Sequence, residues 1–168
     1  ESEPGLRIPN MLDAAVEGTF KGLYVQGEDI AQSDPNTNHV THALEALECV
    51  VVQDLFLNET AAFAHVFFPG TSFLEKDGTF TNAERRINRV RQVMAPQQGM
   101  QEWEVIARIS AAMGYPMHYN SSSEIMDEIA WVTPTFAGVS FEKLDRLGSV
   151  QWPCNDKSPE GTPIMHVG

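Results

Sequence analysis

The residues best placed to do chemistry in this chain stand just after apolar runs. "GLYV" is followed by "QGED" (26–29), and "CVVV" by "QD" (53–54). If the two runs are neighbouring parallel strands, Asp29 and Asp54 leave the same sheet edge. Open α/β sheets bind ligands beyond the carboxyl ends of their strands. An ionised carboxylate accepts two hydrogen bonds side by side. Guanine presents two adjacent donors and ribose two adjacent hydroxyls, so either would match. The same carboxylates could instead end the strands and cap turns. A third strand end reads "PGTS" (69–72), and beyond it "LEKDGTFTNAERRINRV" (74–90) packs charges of both signs between apolar flanks.

Other chemistries find little support. No GxGxxG follows the first strand and no GxxxxGK[ST] occurs, so neither an NAD-type Rossmann site nor a P-loop is indicated. His39 and His42 lie at i, i+3 on a helix without a third ligand. Cys49 and Cys154 are the only cysteines, and no CxxC offers a zinc or iron–sulfur ligand pair. Cys49 sits in an apolar run and reads as a buried thiol; Cys154 sits in a loop. His65 opens a strand and reads as structural. No serine lies in a GxSxG elbow. No residue is therefore assigned to catalysis or to a metal.

The elements that must position the two carboxylates follow from periodicity. Strands are predicted at 22–27, 49–54 and 65–69. Val40, Ala43, Leu44 and Leu47 recur at i, i+3, i+4, i+7, which predicts a helix over 37–47. The β-branched run at 49–54 predicts a strand covered on both faces, and "NETAAFA" (58–64) a short helix capped by Asn58. The order β-α-β-α-β with short connections makes the sheet parallel. Beyond Gly70 the texture changes. Residues 78–93 alternate with turn residues and predict short antiparallel strands. Residues 101–114 predict a helix burying Trp103, Ile106, Ile109 and Met113, with Gly114 at C′. Ser121-x-x-Glu124 is a capping box opening a helix over 121–132 that buries Ile125, Ile129 and Val132.

The chain has 168 residues, 42% hydrophobic and 20% charged, with a net charge of −12. That composition sustains a core, and the acidity disfavours nucleic acid as a partner. No apolar run reaches the ~20 residues of a membrane span. The polar start "ESEPGLRIP" has no signal-peptide pattern, so cytoplasm is the expected compartment. Three parallel strands make a narrow sheet, and the tail from Gly148 carries Trp152 and Met165 with no evident core. The expected organisation is an α/β segment at 1–72, a strand-rich crossover at 73–100, a helical segment at 101–147 and an extended arm at 148–168. Together these suggest an α/β piece of a larger multi-domain protein.

Several stretches carry a specific resemblance. "GLYVQGEDIAQSDPNTNHV", "CVVVQDLFLNETAAFAHVFFPGTSFLEKDGTFTNAERR" and "MGYPMHY" through "GSVQWPCND" resemble the catalytic α subunits of molybdopterin-dependent formate dehydrogenases. These belong to the dimethyl sulfoxide reductase family, which carries a bis-molybdopterin guanine dinucleotide. The likeness runs from about Ile8 to His166, and "GEDIAQSDPNT" looks most like the NAD-dependent forms. A free-standing nucleotide-binding or interaction module is the alternative reading, as is a segment of a related enzyme such as nitrate reductase; "GEDIAQSDPNT" and "QWPCND" argue against the latter.

The resemblance implies a partial protein. The 4Fe–4S cysteines, the cysteine or selenocysteine on molybdenum or tungsten, and the active-site histidine and arginine would lie upstream, and a domain completing the pterin site downstream. The segment itself would be inactive. Its partners would be the remaining domains of the α subunit, with iron–sulfur and flavin subunits beyond, and no membrane. The intact enzyme would oxidise formate to carbon dioxide and pass electrons towards NAD. Residue by residue, the resemblance places Gly27, Glu28, Asp29, Gln53 and Asp54 at the guanine dinucleotide, with Lys76 as its cationic contact and Glu102 at a position often occupied by aspartate. Asp29 stands where relatives commonly carry asparagine. The block at 74–90 would cross to the subdomain around the iron–sulfur cluster, with Arg85, Arg86 and Arg89 bridging domains. Asp54 and Lys76 are expected to flank one dinucleotide.

Overall fold

The computed structural model describes residues 4–166. The chain divides after Thr71 into two compact units, each with its own hydrophobic cluster.

The first unit runs α1 (Ile8–Val16), β1 (Gly22–Gln26), α2 (Ile30–Ser33), α3 (Thr37–Ala46), β2 (Cys49–Asp54), a 3-10 turn (Thr60–Phe63) and β3 (Val66–Pro69). Its sheet is parallel in the order β1-β2-β3, with Gln26 opposite Gln53 and Asp54 opposite Pro69. The predicted βαβαβ unit is therefore present, and β2 is its central strand. The apolar stripe of α3 behaves as its spacing requires: Val40, Ala43, Leu44 and Leu47 are all buried. Asn36 Oδ1 caps this helix by accepting from His39 N. Burying one such leucine contributes about 1.5–3 kcal/mol.

Coverage of the sheet differs from expectation. Val25, Val50 and Val52 pack against Leu12, Ala15, Val40 and Leu44, so α1 and α3 lie on one face. Residues alternate across a strand, and the opposite face carries Cys49, which is exposed, and Val51, which is half-buried. Burial on this second face is graded along β2, from exposed Cys49 through half-buried Val51 to buried Gln53. "NETAAFA" forms only a 3-10 turn. Asn58 still serves it, its Oδ1 accepting from Ala61 N at 2.9 Å.

The second unit contains β4 (Gly78–Thr81), β5 (Arg86–Val90), α4 (Glu102–Ala112), α5 (Ser122–Val132), a 3-10 turn (Pro134–Phe136), α6 (Phe141–Leu147) and β6 (Ser149–Gln151). β4 and β5 pair antiparallel as predicted, and β6 adds to β5 with Val150 opposite Ile87. Ile87, Met126, Val139, Leu144, Val150 and Cys154 form its core. The stretch read as an arm thus supplies a strand and the fully buried Cys154. The two cysteines exchange the burial expected of them, because the tail folds back across β5. The return is tight: a Cβ on Gly161 would lie 2.6 Å from Gln151 O, at φ +95°. Thr162 N donates to that same oxygen at 2.9 Å.

The helices of this unit form where expected, with part of each predicted stripe exposed. α4 buries Val105, whereas Ile106 and Met113 are exposed. Its end is a Schellman motif, with Tyr115 N donating to Ser110 O and Gly114 N to Ala111 O. α5 buries Met126, and Val132 is exposed. Ser121 Oγ accepts from Glu124 N, but the Glu124 carboxylate takes Asn120 N rather than Ser121 N. The rest of each expected stripe is at least half-buried: Trp103 and Ile109 on α4, and Ile125 and Ile129 on α5, Ile129 packing against the second core.

Candidate functional site

Five of the seven expected site residues gather at the carboxyl end of the first sheet. Gly27 ends β1 at φ +61°, and its N–H donates to Gln53 O at 2.9 Å. That bond ties the "QGED" turn to β2. Glu28 Oε1 accepts from Ser33 Oγ at 2.5 Å. Gly70 closes the other side: its N–H donates to Asp54 O at 2.8 Å, and a Cβ there would stand 3.0 Å from Asp54 C. The strand ends are packed backbone to backbone.

Neither carboxylate presents an unoccupied bidentate edge. Asp54 Oδ1 accepts from Leu55 N at 2.6 Å and its Oδ2 from Asn58 Nδ2 at 3.0 Å. Asp29 Oδ1 accepts from Thr60 Oγ1 at 2.6 Å and Thr60 N at 2.9 Å. Its Oδ2 has one long contact, 3.4 Å to Glu59 N. Both residues cap turns. Each oxygen can accept more than one bond, so Asp29 Oδ2 keeps the most accepting capacity. Burial pushes the Asp29 carboxyl up, yet the Thr60 and Glu59 bonds outweigh it and hold the group below its usual range.

Gln53 differs from both. It is 1% exposed, its Oε1 accepts from Tyr24 Oη at 2.5 Å, and its Nε2 has no hydrogen-bond partner. Buried polar atoms are nearly always paired, and an orphaned donor costs about 1–3 kcal/mol. A buried, unpaired N–H₂ at the carboxyl end of a central strand fits a group that brings an acceptor. Sequence reading missed Tyr24, Asn58's tie to Asp54, Gly70 and Thr60. The in-register pairing of β1 with β2 was the available signal for Tyr24, since it lies on Gln53's face.

Lys76 and Glu102 belong to the second unit, where Lys76 Nζ donates to Glu102 Oε1 at 2.7 Å with both side chains largely buried. The arginines of the charged block also find partners within that unit. Arg85 donates to the carbonyls of Trp152, Thr162 and Pro163. Arg86 pairs with Glu84 and Ser149 Oγ. Arg89 meets Asp77 at 3.1 Å and Asp145 at 3.4 Å and lies 3.7 Å over the Phe141 ring. Within this unit the alternating charges hold β4, β5 and the returning tail together. His65 is structural as read: its Nδ1 accepts from Val50 N at 2.9 Å. Among the described residues no group of three or more His, Cys, Asp or Glu is arranged to hold a metal ion. No helix there is long and apolar enough to cross a membrane.

A family model, molybdopterin oxidoreductase, matches residues 1–112. The chain belongs to this family. Among curated proteins, this molybdopterin oxidoreductase segment is 43% identical over 165 residues to the F420-dependent formate dehydrogenase 1 subunit alpha of Methanococcus maripaludis, covering 96% of the chain and 24% of that protein. It is 41% identical to formate dehydrogenase H of Escherichia coli, covering 96% and 23% respectively. The chain thus spans about a quarter of the length of these relatives. Among solved structures, acetylene hydratase from Pelobacter acetylenicus superposes with a TM-score of 0.66 at 20% identity, covering 92% of this chain and 23% of that one. That likeness concerns the fold.

Proposed function

We propose that this molybdopterin oxidoreductase segment holds the guanine dinucleotide end of the cofactor in a formate dehydrogenase α subunit. The buried, unpartnered Gln53 amide at the end of the central strand carries the reading. Guanine and pyrophosphate both bring acceptors for it, and guanine brings donors for the accepting capacity left on Asp29 Oδ2 and Asp54. Gly27 and Glu28 shape the turn that frames them. Lys76 and Glu102 are assigned to the same ligand by resemblance. When bound, the pterin and its molybdenum or tungsten supply the redox chemistry; these residues bind and orient. In the parent enzyme, formate is oxidised to carbon dioxide, with 4Fe–4S clusters bound outside this segment and the protein in the cytoplasm. "GEDIAQSDPNT" favours NAD as the acceptor reached through iron–sulfur and flavin subunits. The names of the methanogen relatives favour F420 as the alternative.

The test uses the parent α subunit in its complex. Hydrolysis of the dinucleotide releases guanosine monophosphate, which is counted per polypeptide beside molybdenum and tungsten. Formate-dependent reduction of NAD and of F420 is followed in parallel. Gln53→Leu, Asp54→Ala and Lys76→Ala should each lower the nucleotide content. Full nucleotide content in all three would remove the site. Nucleotide without formate turnover would reassign the substrate. The chain alone should neither turn over formate nor carry molybdenum or iron.

A further inference from the structure

Asp29 occupies the N-cap position of α2, where an aspartate ordinarily turns onto the amides of its own helix. It does not do so. No side-chain cap bond forms, and the carboxylate reaches across to the 3-10 turn, taking Thr60 Oγ1, Thr60 N and, weakly, Glu59 N. The helix amide that Asp29 leaves behind, Ala31 N, donates instead to Thr60 Oγ1 at 3.0 Å. Thr60 is fully buried. Its single hydroxyl therefore works in both directions, accepting from Ala31 and donating to Asp29.

This exchange settles where Asp29 points. Both Thr60 bonds fall on Oδ1, and Oδ2 is left with only the 3.4 Å contact. A hydroxyl proton committed to Oδ1 also fixes the hydroxyl lone pairs towards Ala31. With that amide satisfied, the carboxylate gains nothing by turning back onto its helix.

We propose that Thr60 is a positioning residue for nucleotide binding: by capping α2 in place of Asp29, it holds Asp29 Oδ2 out of the helix and available to a donor group of the guanine dinucleotide. This rests on the assignment of Asp29 to that ligand. Valine at 60 matches threonine in size and removes the two hydroxyl bonds, to Asp29 Oδ1 and from Ala31 N, while the backbone N–H of residue 60 keeps its bond to Oδ1. Ala31 N then lacks its acceptor, and Asp29 swings onto it. Serine keeps the hydroxyl.

The experiment is a double-mutant cycle on the parent complex, with guanosine monophosphate per polypeptide as the readout and thermal unfolding in parallel. Asp29→Ala and Thr60→Val should each lower retained nucleotide by at least about threefold, as expected for a lost polar contact. The double variant should fall no further than either alone, and Thr60→Ser should restore the parent value. Additive losses would make Thr60 a purely structural residue and overturn the proposal. Loss in Asp29→Ala with full nucleotide in Thr60→Val would overturn it as well. Full nucleotide in Asp29→Ala would instead overturn the assignment of Asp29 itself. If Thr60→Val does not accumulate, Thr60→Ala, which introduces no new atom, takes its place in the cycle.

Discussion

Tyr24 Oη donates to Gln53 Oε1 at 2.5 Å, which leaves the other end of that buried amide, Nε2, without a partner. The tyrosine fixes the orientation of the amide, so this strand end carries a buried donor without a partner. If it meets the proposed nucleotide, the ligand must bring an acceptor to it.

Substitution of Gln53 by glutamate tests that polarity. At neutral pH the carboxylate offers no donor, and the ligand acceptor is left unpaired. Affinity for the nucleotide end should fall by roughly 5- to 150-fold, corresponding to about 1–3 kcal/mol. Tyr24→Phe should give a smaller loss, because the amide survives and only its orientation is released. Nucleotide content of the purified parent complex, followed through dilution or mild heating, reports both. A Tyr24→Phe loss larger than that of Gln53→Glu would contradict this order.

Asp29 should leave a signature in acid. Its native carboxyl lies below the ordinary value of 3.8, since the Thr60 and Glu59 bonds outweigh the burial that pushes it up. A carboxyl depressed in the folded state stabilises the fold fully above its unfolded value. The contribution fades as pH falls through the lower native value, where both states bind the proton. The stability difference between the protein and Asp29→Asn should be constant above pH 3.8 and shrink below it. Urea unfolding at a series of pH values measures this, and a pH-independent difference would refute the shift.

Arg89 is 9% exposed in its side chain, while Asp77 and Asp145 keep more contact with water. Removing one partner of a buried pair costs about 3–5 kcal/mol, and the partial exposure of the aspartates argues for the lower end. Arg89→Ala should therefore destabilise the second unit by about 3 kcal/mol, seen as earlier denaturant unfolding. Arg89→Lys should recover only part of this, because an ammonium lacks the planar fork that also reaches Gly78 O and stacks on Phe141. Full recovery by lysine would show that charge alone matters.

Gly161→Ala should release the tail. The added Cβ meets backbone atoms of Gln151, which cannot rotate aside, and the positive φ adds strain. The expected outcome is faster proteolysis after about residue 151 and faster exchange of the Thr162 amide, with the first unit unaffected. Wild-type protection in this variant would mean that the tail has another way to pack.

Much of the first unit was legible in the sequence. The stripe Val40–Ala43–Leu44–Leu47 defines a helix because one face of a 3.6-residue period must be apolar, and all four residues are buried. Short connections between apolar runs leave parallel pairing as the right-handed solution, and the strand ends then fall together by topology. The carboxylates Asp29 and Asp54 could be found in this way because position along a strand is a one-dimensional property.

Direction and partnership were not legible. The sequence alone determined which elements form and which residues stand at the sheet edge. Only the tertiary structure decided that helices cover a single face, that Cys154 rather than Cys49 is buried, and that Arg85, Arg86 and Arg89 bind within their own unit. It also decided that Thr60, 31 residues from Asp29 along the chain, takes over the cap of α2. Hydrogen bonds and burial depend on distances between segments remote in sequence. A local pattern specifies what a side chain can offer, and the packing of distant segments selects which offer is taken.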